Sequence, residues 1–192
     1  MKELPKNQIF LFENVLSDEL CNKLIYNINS LAIRECDYNV GNNVKCTQLL
    51  VDEIKDSFLK ETIDSDIYKL IGNIIEKLQS KYDIKCRGDT GYELRKITGA
   101  TRRHVDGTVS QIENYIKESK DIPNNQIRNM SVIIALNSDY EGGEFCFPEQ
   151  NTSIKLKRGQ ALAFPPYWTH PHYTNDLKND TYRYTITTWL TE

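Results

Sequence analysis

The sequence predicts an α+β domain, mainly β, in which helices come first and pack on the outside of an antiparallel β-sandwich or barrel. Two observations carry this. Apolar stripes of helical period occur only in the first 86 residues, and from Gly88 onward short strand-like runs alternate with turn residues. At 192 residues the chain fits one domain, large enough to bury a core without disulfides or structural metals. We therefore expect a single domain over residues 1–192, with helical support over about 1–86 and a β core over about 87–192.

Each element follows from its local pattern. Ile9-Phe10-Leu11-Phe12 reads as a short strand. Ser17 is an N-cap, with Asp18 and Glu19 at the positive end of the helix dipole. Leu20, Leu24 and Ile28 then recur every four residues, so 18–30 is an amphipathic helix. Ile67, Leu70, Ile71, Ile74 and Leu78 form one stripe and predict a second helix over about 65–81. Cys36 to Val51 is polar, with Gly41-Asn42-Asn43, and reads as loop or irregular strand. Strands are expected at Tyr92–Ile97, Met130–Asn137, Glu144–Phe147, Ser153–Leu156, Ala161–Phe164 and Tyr182–Leu190, with turns at Gly142-Gly143 and Arg158-Gly159. Gly107 to Asn129 is long and polar for a connection, as a functional loop or lid is.

Composition excludes several functions. The formal net charge is −3 and the pI near 5.7, without the basic footprint of a nucleic-acid binder. No Lys/Arg block and no basic amphipathic helix favours a membrane surface, and no apolar run approaches spanning length. Met1-Lys2-Glu3-Leu4-Pro5 is too polar for a secretory signal. Five scattered cysteines without a CxxC pair read as reduced thiols of a cytoplasmic protein, a Cys36–Cys46 bridge being the alternative.

Chemistry concentrates in a few side chains. The three histidines are His104, His170 and His172. In His104-Val105-Asp106 an imidazole and a carboxylate stand two residues apart, on one face of a strand. Alone, this pair reads as a surface histidine beside an aspartate capping Gly107. A second histidine from a distant strand changes that. Two imidazoles and one carboxylate on one face of an octahedral ion leave three positions open, which suits Fe(II) binding a bidentate oxo-acid and then dioxygen. Tetrahedral zinc would leave one. The oxo-acid's second carboxylate needs an anchor, and Arg183, eleven residues after His172, offers a bidentate fork. Thr185 shares its face. Tyr182, Tyr184, Ile186 and Trp189 make the strand apolar on both sides, unlike a solvated edge on which Arg183 would pair with Asp180 or Glu192.

Four stretches together resemble the 2-oxoglutarate/Fe(II) dioxygenase superfamily, in its prolyl 4-hydroxylase-like branch. They are Leu94–Gly99 leading into His104–Gly107, Arg128–Asn137 followed by Tyr140–Phe145, Lys157–Pro165, and His172 through Arg183 to Trp189. The resemblance covers about residues 90–190 and implies a double-stranded β-helix (jelly-roll) core buttressed by helices. It implies metal ligation by His104, Asp106 and His172, with 2-oxoglutarate and dioxygen consumed to succinate and a hydroxylated product, and ascorbate as reductant. Its substrate would be a peptide or protein containing proline, or a free amino acid.

The sequence departs from the family pattern in three places. His170 and His172 compete as distal ligand, and the interval to Arg183 favours His172. The family's oxo-acid-binding tyrosine, nine or ten residues before the HxD, is replaced by Leu94 and Arg95, and Tyr92 is the candidate substitute. Arg102 and Arg103 before His104 steer an acidic substrate or form a solvated strand edge. The resemblance puts Trp189, and with it Arg95, on the substrate side. A non-catalytic jelly-roll metal-binding or interaction module is the alternative reading, and the acidic balance disfavours nucleic-acid demethylation.

Overall fold

The structure is a computed structural model, and it describes residues 7–31, 34–35, 45–107 and 127–192. In chain order it runs β1 (Phe10–Phe12), α1 (Asp18–Leu31), β2 (Arg34–Glu35), β3 (Lys45–Leu50), α2 (Ser57–Tyr82), β4 (Gly88–Asp89), β5 (Glu93–Thr98) and β6 (Arg128–Ala135). It continues through β7 (Glu141–Gly142), β8 (Phe145–Phe147), β9 (Thr152–Ile154), β10 (Ala161–Phe164), β11 (Tyr173–Thr174), β12 (Leu177–Lys178) and β13 (Arg183–Thr191).

The helices follow their stripes. Ser17 Oγ accepts from Leu20 N at 3.2 Å, which caps α1, and Cys21, Leu24 and Ile28 are its buried line. Helix α2 begins at Ser57, well before the expected start. Asp56 Oδ1 accepts from Leu59 N at 2.8 Å and caps it, and Ile63 extends the stripe one turn toward the N-terminus. An N-cap followed by Phe58-Leu59-Lys60-Glu61 lacks the apolar period, so sequence pattern alone starts this helix late.

An antiparallel eight-stranded sheet runs β1-β10-β6-β13-β5-β3-β2, with β4 also pairing with β13. A three-stranded sheet, β11-β8-β9, and the pair β12-β7 form the smaller layer. Strand alternation gives the large sheet two buried faces. Met130, Val132 and Ile134 of β6, Ile186 and Leu190 of β13, Leu94 of β5 and Ala161 and Ala163 of β10 share one core with α1 and α2. Ile133, Ala135, Leu162 and Phe164, on the other face, pack with Phe145 and Phe147 of the smaller sheet. The helices thus buttress one face of a jelly roll, as expected, and the site lies on the face they do not cover.

Some expectations are refined. Residues 45–50, inside the polar stretch, form a regular strand in register with β5, from Lys45↔Thr98 to Leu50↔Glu93. Lys45, Cys46, Thr47 and Gln48 show no apolar alternation, which hides it. Cys46 is disulfide-bonded, against the expectation of reduced thiols throughout, whereas Cys21, Cys86 and Cys146 are free and buried. Cys36 lies outside the described residues, as do 108–126, on which most of the expected lid falls. No helix among the described residues is long and apolar enough to cross a membrane.

The Gly142-Gly143 turn is built on positive φ, 72° and 71°, and a Cβ on Gly142 would stand 2.0 Å from the Asp176 carbonyl oxygen. Gly142→Ala is therefore expected to cost about 2 kcal/mol or more, from a left-handed alanine together with a backbone clash. Urea unfolding followed by circular dichroism should show the midpoint fall, and an unchanged midpoint would mean the turn rearranges freely.

Candidate active site

Strand β13 supplies one wall. Its odd-numbered residues as far as the register shift at Leu190/Thr191, namely Arg183, Thr185, Thr187 and Trp189, face away from the helices and line one pocket with Arg95, Ile97, Ile133, Phe145, Thr101 and Thr174. Antiparallel register sets their neighbours: Ile97 lies opposite Arg183, Arg95 and Ala135 flank Thr185, and Ser131 lies opposite Trp189.

Above that wall stand the metal-ligating types. His104 and His172 form an isolated antiparallel bridge, each amide donating to the other's carbonyl at 2.9 Å. Directly opposed residues project on the same side, and the two imidazoles lie 4.4 Å apart, centroid to centroid. Asp106 Oδ1 is 3.4 Å from His104 Nε2 and 3.7 Å from His172 Nε2. One ligand atom from each residue falls within 4.8 Å of the others, so the three could hold one ion.

Their neighbours aim them. His104 Nδ1 donates to the Arg102 carbonyl at 2.8 Å, and His172 Nδ1 to the His170 carbonyl at 3.1 Å. A carbonyl only accepts, so each Nδ1 carries the hydrogen and each Nε2 keeps its lone pair toward Asp106. Asp106 Oδ2 accepts from Ser131 Oγ at 2.7 Å, which leaves Oδ1 turned to the imidazoles. Arg128 Nη1 donates to the Asp106 carbonyl at 2.6 Å. Burial penalises the Asp106 carboxylate, yet His104, His172 and Ser131 outweigh it and hold the carboxyl far below its usual range. Burial alone would lower the His104 pKa, and the Asp106 carboxylate reverses this into a net rise. For His172 burial prevails and the pKa falls. The cluster thus attracts a cation at the two Nε2 atoms, which a metal ion and a proton would contest.

At the other end of the pocket lies a buried charge. Arg183 is 2% exposed. Its Nη1 donates to the Gly143 carbonyl at 2.6 Å, and its guanidinium lies 4.5 Å from the centre of the Phe145 ring. Burial lowers its pKa to about 10, which keeps it charged at neutral pH. Among the described residues it has no ion pair, its Nε has no acceptor, and the buried Thr185 Oγ1 also lacks a partner. Orphaned donors and a bare cation in one pocket suit a carboxylate.

Of the residues singled out in the sequence, His104, Asp106, His172, Arg183, Thr185, Arg95 and Trp189 meet in this pocket. Arg95 is ion-paired with Glu93. The Trp189 indole is buried, its Nε1 has no partner among the described residues, and the Arg128 guanidinium stacks 3.7 Å from its ring. Tyr92 does not line the pocket. It has the parity of Leu94, packs in the helix-side core, and donates its hydroxyl to Asp89 Oδ2 at 2.9 Å. The strand alternation that puts Arg95 inside puts Tyr92 outside, so Tyr92 as oxo-acid ligand is corrected. His170 is buried beside the site, but its Nε2 is taken by the Asn7 carbonyl at 2.9 Å. Sequence reasoning missed Ser131, Arg128, and the rings of Phe147 and Phe164, which pack 5.6 and 4.7 Å from His172. The signal for Ser131 was there: one small polar residue opening an otherwise apolar run.

Residues 92–191 match the profile of the 2OG-Fe(II) oxygenase superfamily. No curated protein matches the sequence significantly. Among solved structures, the fold is similar to the viral collagen prolyl hydroxylase of Paramecium Bursaria Chlorella virus-1 in its 2OG complex. That likeness has 20% identity, a TM-score of 0.67 and coverage of 95% of each chain. A Trichoplax adhaerens prolyl hydroxylase bound to a hypoxia inducible factor peptide gives 16% identity and a TM-score of 0.66, over 97% of this chain and 84% of that one. A Pseudomonas putida prolyl-4-hydroxylase gives 12% and 0.63, over 97% and 94%. With the profile spanning more than half its length, this chain belongs to the 2OG-Fe(II) oxygenase superfamily.

Proposed function

We propose that this oxygenase hydroxylates a prolyl residue of a peptide or protein, with Fe(II) on His104, Asp106 and His172 and 2-oxoglutarate anchored by Arg183 and Thr185. The observation that carries the co-substrate assignment is the buried Arg183, without an ion pair among the described residues, in the pocket of the His-Asp-His cluster. Charge supports it. A divalent cation and Arg183 set against Asp106 leave two positive charges, while Arg95 and Glu93 cancel each other. A dianion such as 2-oxoglutarate matches that excess. When bound, the iron and oxo-acid supply activation of dioxygen, coupled to loss of carbon dioxide and release of succinate.

The chain's own side chains do the rest. Arg183 and Thr185 hold the distal carboxylate, and Ile133, Phe145, Phe147 and Phe164 keep water from the buried side. Ser131 and the carbonyls of Arg102 and His170 hold the ligands at one orientation. Trp189 and Arg95, farther along the wall, face the substrate. The prolyl assignment rests on the three structural relatives, each described as a prolyl hydroxylase. Peptide rather than free amino acid is favoured by the Trichoplax relative, described in complex with a peptide fragment. We also propose ascorbate as reductant and the cytoplasm as compartment, where the Cys46 disulfide would be an exception to the usual reduced thiols. No feature of the pocket favours a non-catalytic module.

Succinate release from 2-oxoglutarate, with Fe(II) and ascorbate, should rise with a proline-containing peptide and not with its alanine counterpart. Equal turnover with both would remove proline as the target. His104→Ala, Asp106→Ala and His172→Ala should each lose Mn(II) binding with the fold intact, since the core is apolar and extensive. Full metal affinity in any of them would remove that residue from the ligand set. Ser131→Ala should weaken Mn(II) by about 10–100-fold, because a partner that orients a ligand is lost, and Ser131→Thr should restore most of it.

Arg183→Ala should weaken 2-oxoglutarate binding by about 3–5 kcal/mol, a hundredfold or more, with metal affinity unchanged. Arg183→Lys should fall between, keeping charge but not the fork, and Thr185→Val should cost about 1 kcal/mol. Calorimetric titration of the Mn(II)-loaded protein measures all three. Unchanged binding in Arg183→Ala would leave the metal site standing and sink the oxo-acid assignment.

A further inference from the structure

His170 is the buried imidazole that neither the metal cluster nor the oxo-acid pocket uses, and both of its nitrogens are committed. Nε2 meets the Asn7 carbonyl at 2.9 Å, and Nδ1 meets Thr169 Oγ1 at 2.9 Å. Since the carbonyl can only accept, Nε2 carries the hydrogen and Nδ1 accepts from the threonine hydroxyl. This is the tautomer opposite to that of His104 and His172, whose hydrogens sit on Nδ1.

The main chain of the same residue faces the metal cluster. The His170 carbonyl is the acceptor that fixes His172 Nδ1–H, at 3.1 Å. Its position depends on a segment, 165–172, in which His170 N donates to the Tyr167 carbonyl at 2.9 Å. Among the described residues, backbone groups of this segment are tied to the rest of the molecule by Gly107 N to the Pro166 carbonyl (2.7 Å), Gln150 Nε2 to the Thr169 carbonyl (2.7 Å), and the bridge of His172 with His104. Pro171 contributes no amide hydrogen. The His170 side chain adds a tie to the N-terminal stretch, which is itself fixed where β1 pairs with β10 from Phe10↔Ala163.

We propose that His170 is a positioning residue for the metal centre. Its Nε2–H, donated to Asn7, fastens the 165–172 segment to the N-terminal edge of the large sheet and so holds the carbonyl that sets His172's tautomer. The proposal rests on the reading of His172 as a ligand.

The test uses the full chain and two substitutions. His170→Phe keeps the ring's bulk beside Phe147, 6.5 Å away between centroids, and removes both nitrogens. His170→Gln returns an N–H near the Nε2 position. Mn(II) affinity by electron paramagnetic resonance should fall about 10–100-fold in His170→Phe and stay near the wild-type value in His170→Gln. In the metal-free protein, long-range ¹H–¹⁵N correlation spectra should show His172 as the Nδ1–H form in the wild type and in His170→Gln, and as a mixture in His170→Phe. A purely structural role would not separate the two variants in this way. Unchanged affinity and tautomer in His170→Phe overturn the proposal, and so does an equal loss in both variants. Should His170→Phe not fold, His170→Leu, smaller and likewise without ring nitrogens, removes the same tie to Asn7 and must shift the His172 tautomer in the same direction. If the wild type binds no Mn(II), the metal reading fails, while the tautomer comparison still decides the coupling.

Discussion

The site depends on two reciprocal backbone hydrogen bonds between His104 and His172. Their positions are 68 residues apart in the chain, and the bridge makes them direct cross-strand neighbours. Side-chain direction follows from pairing, so fixing the main chain at that one point turns both imidazoles toward Asp106. The adjoining clamp of Thr101 and Thr174 adds side chain–backbone bonds of 3.0 and 2.9 Å in both directions. Loss of this short ladder would separate the two halves of the His-Asp-His cluster without altering any of its three side chains.

The second constraint is parity on β13. A nine-residue strand with a helix-side core behind it and a pocket before it must sort its residues alternately. Ile186 and Leu190 go to the helices, while Arg183, Thr185, Thr187 and Trp189 go to the pocket. The cost of burying Arg183 is tolerable because the Gly143 carbonyl takes one of its donors and the Phe145 ring lies under its plane. Among the described residues the Arg183 Nε has no acceptor.

Much of this was legible in the sequence, for reasons particular to certain residues. With three histidines in the chain, an HxD and a distant partner leave few combinations, and an arginine between tyrosines on a terminal apolar strand is conspicuous. Period two also predicts that Arg183 and Thr185 point together. The same rule, applied to β5, would have sent Tyr92 with Leu94 to the helices and Arg95 to the pocket. The choice between His170 and His172 was less legible, because it turns on Asn7, more than 160 residues away. Strand β3 was hidden by its polar composition, and the first turns of α2 by a cap whose effect precedes the apolar stripe.

The Gly142-Gly143 turn links back stiffness to chemical selectivity. It presents the Gly143 carbonyl to a guanidinium that rides on β13, and β13 is locked in register with the β6 strand carrying Ser131, the partner of Asp106. Both ends of the pocket are therefore parts of one hydrogen-bonded lattice, and the gap between them cannot stretch without slipping a strand, which would turn Arg183 toward the helices. On the proposed assignment, with a metal at the His-Asp-His cluster and the far carboxylate of a diacid on Arg183, that fixed gap would set the length of acid the pocket accepts, and the rigidity of the sheet would do the measuring.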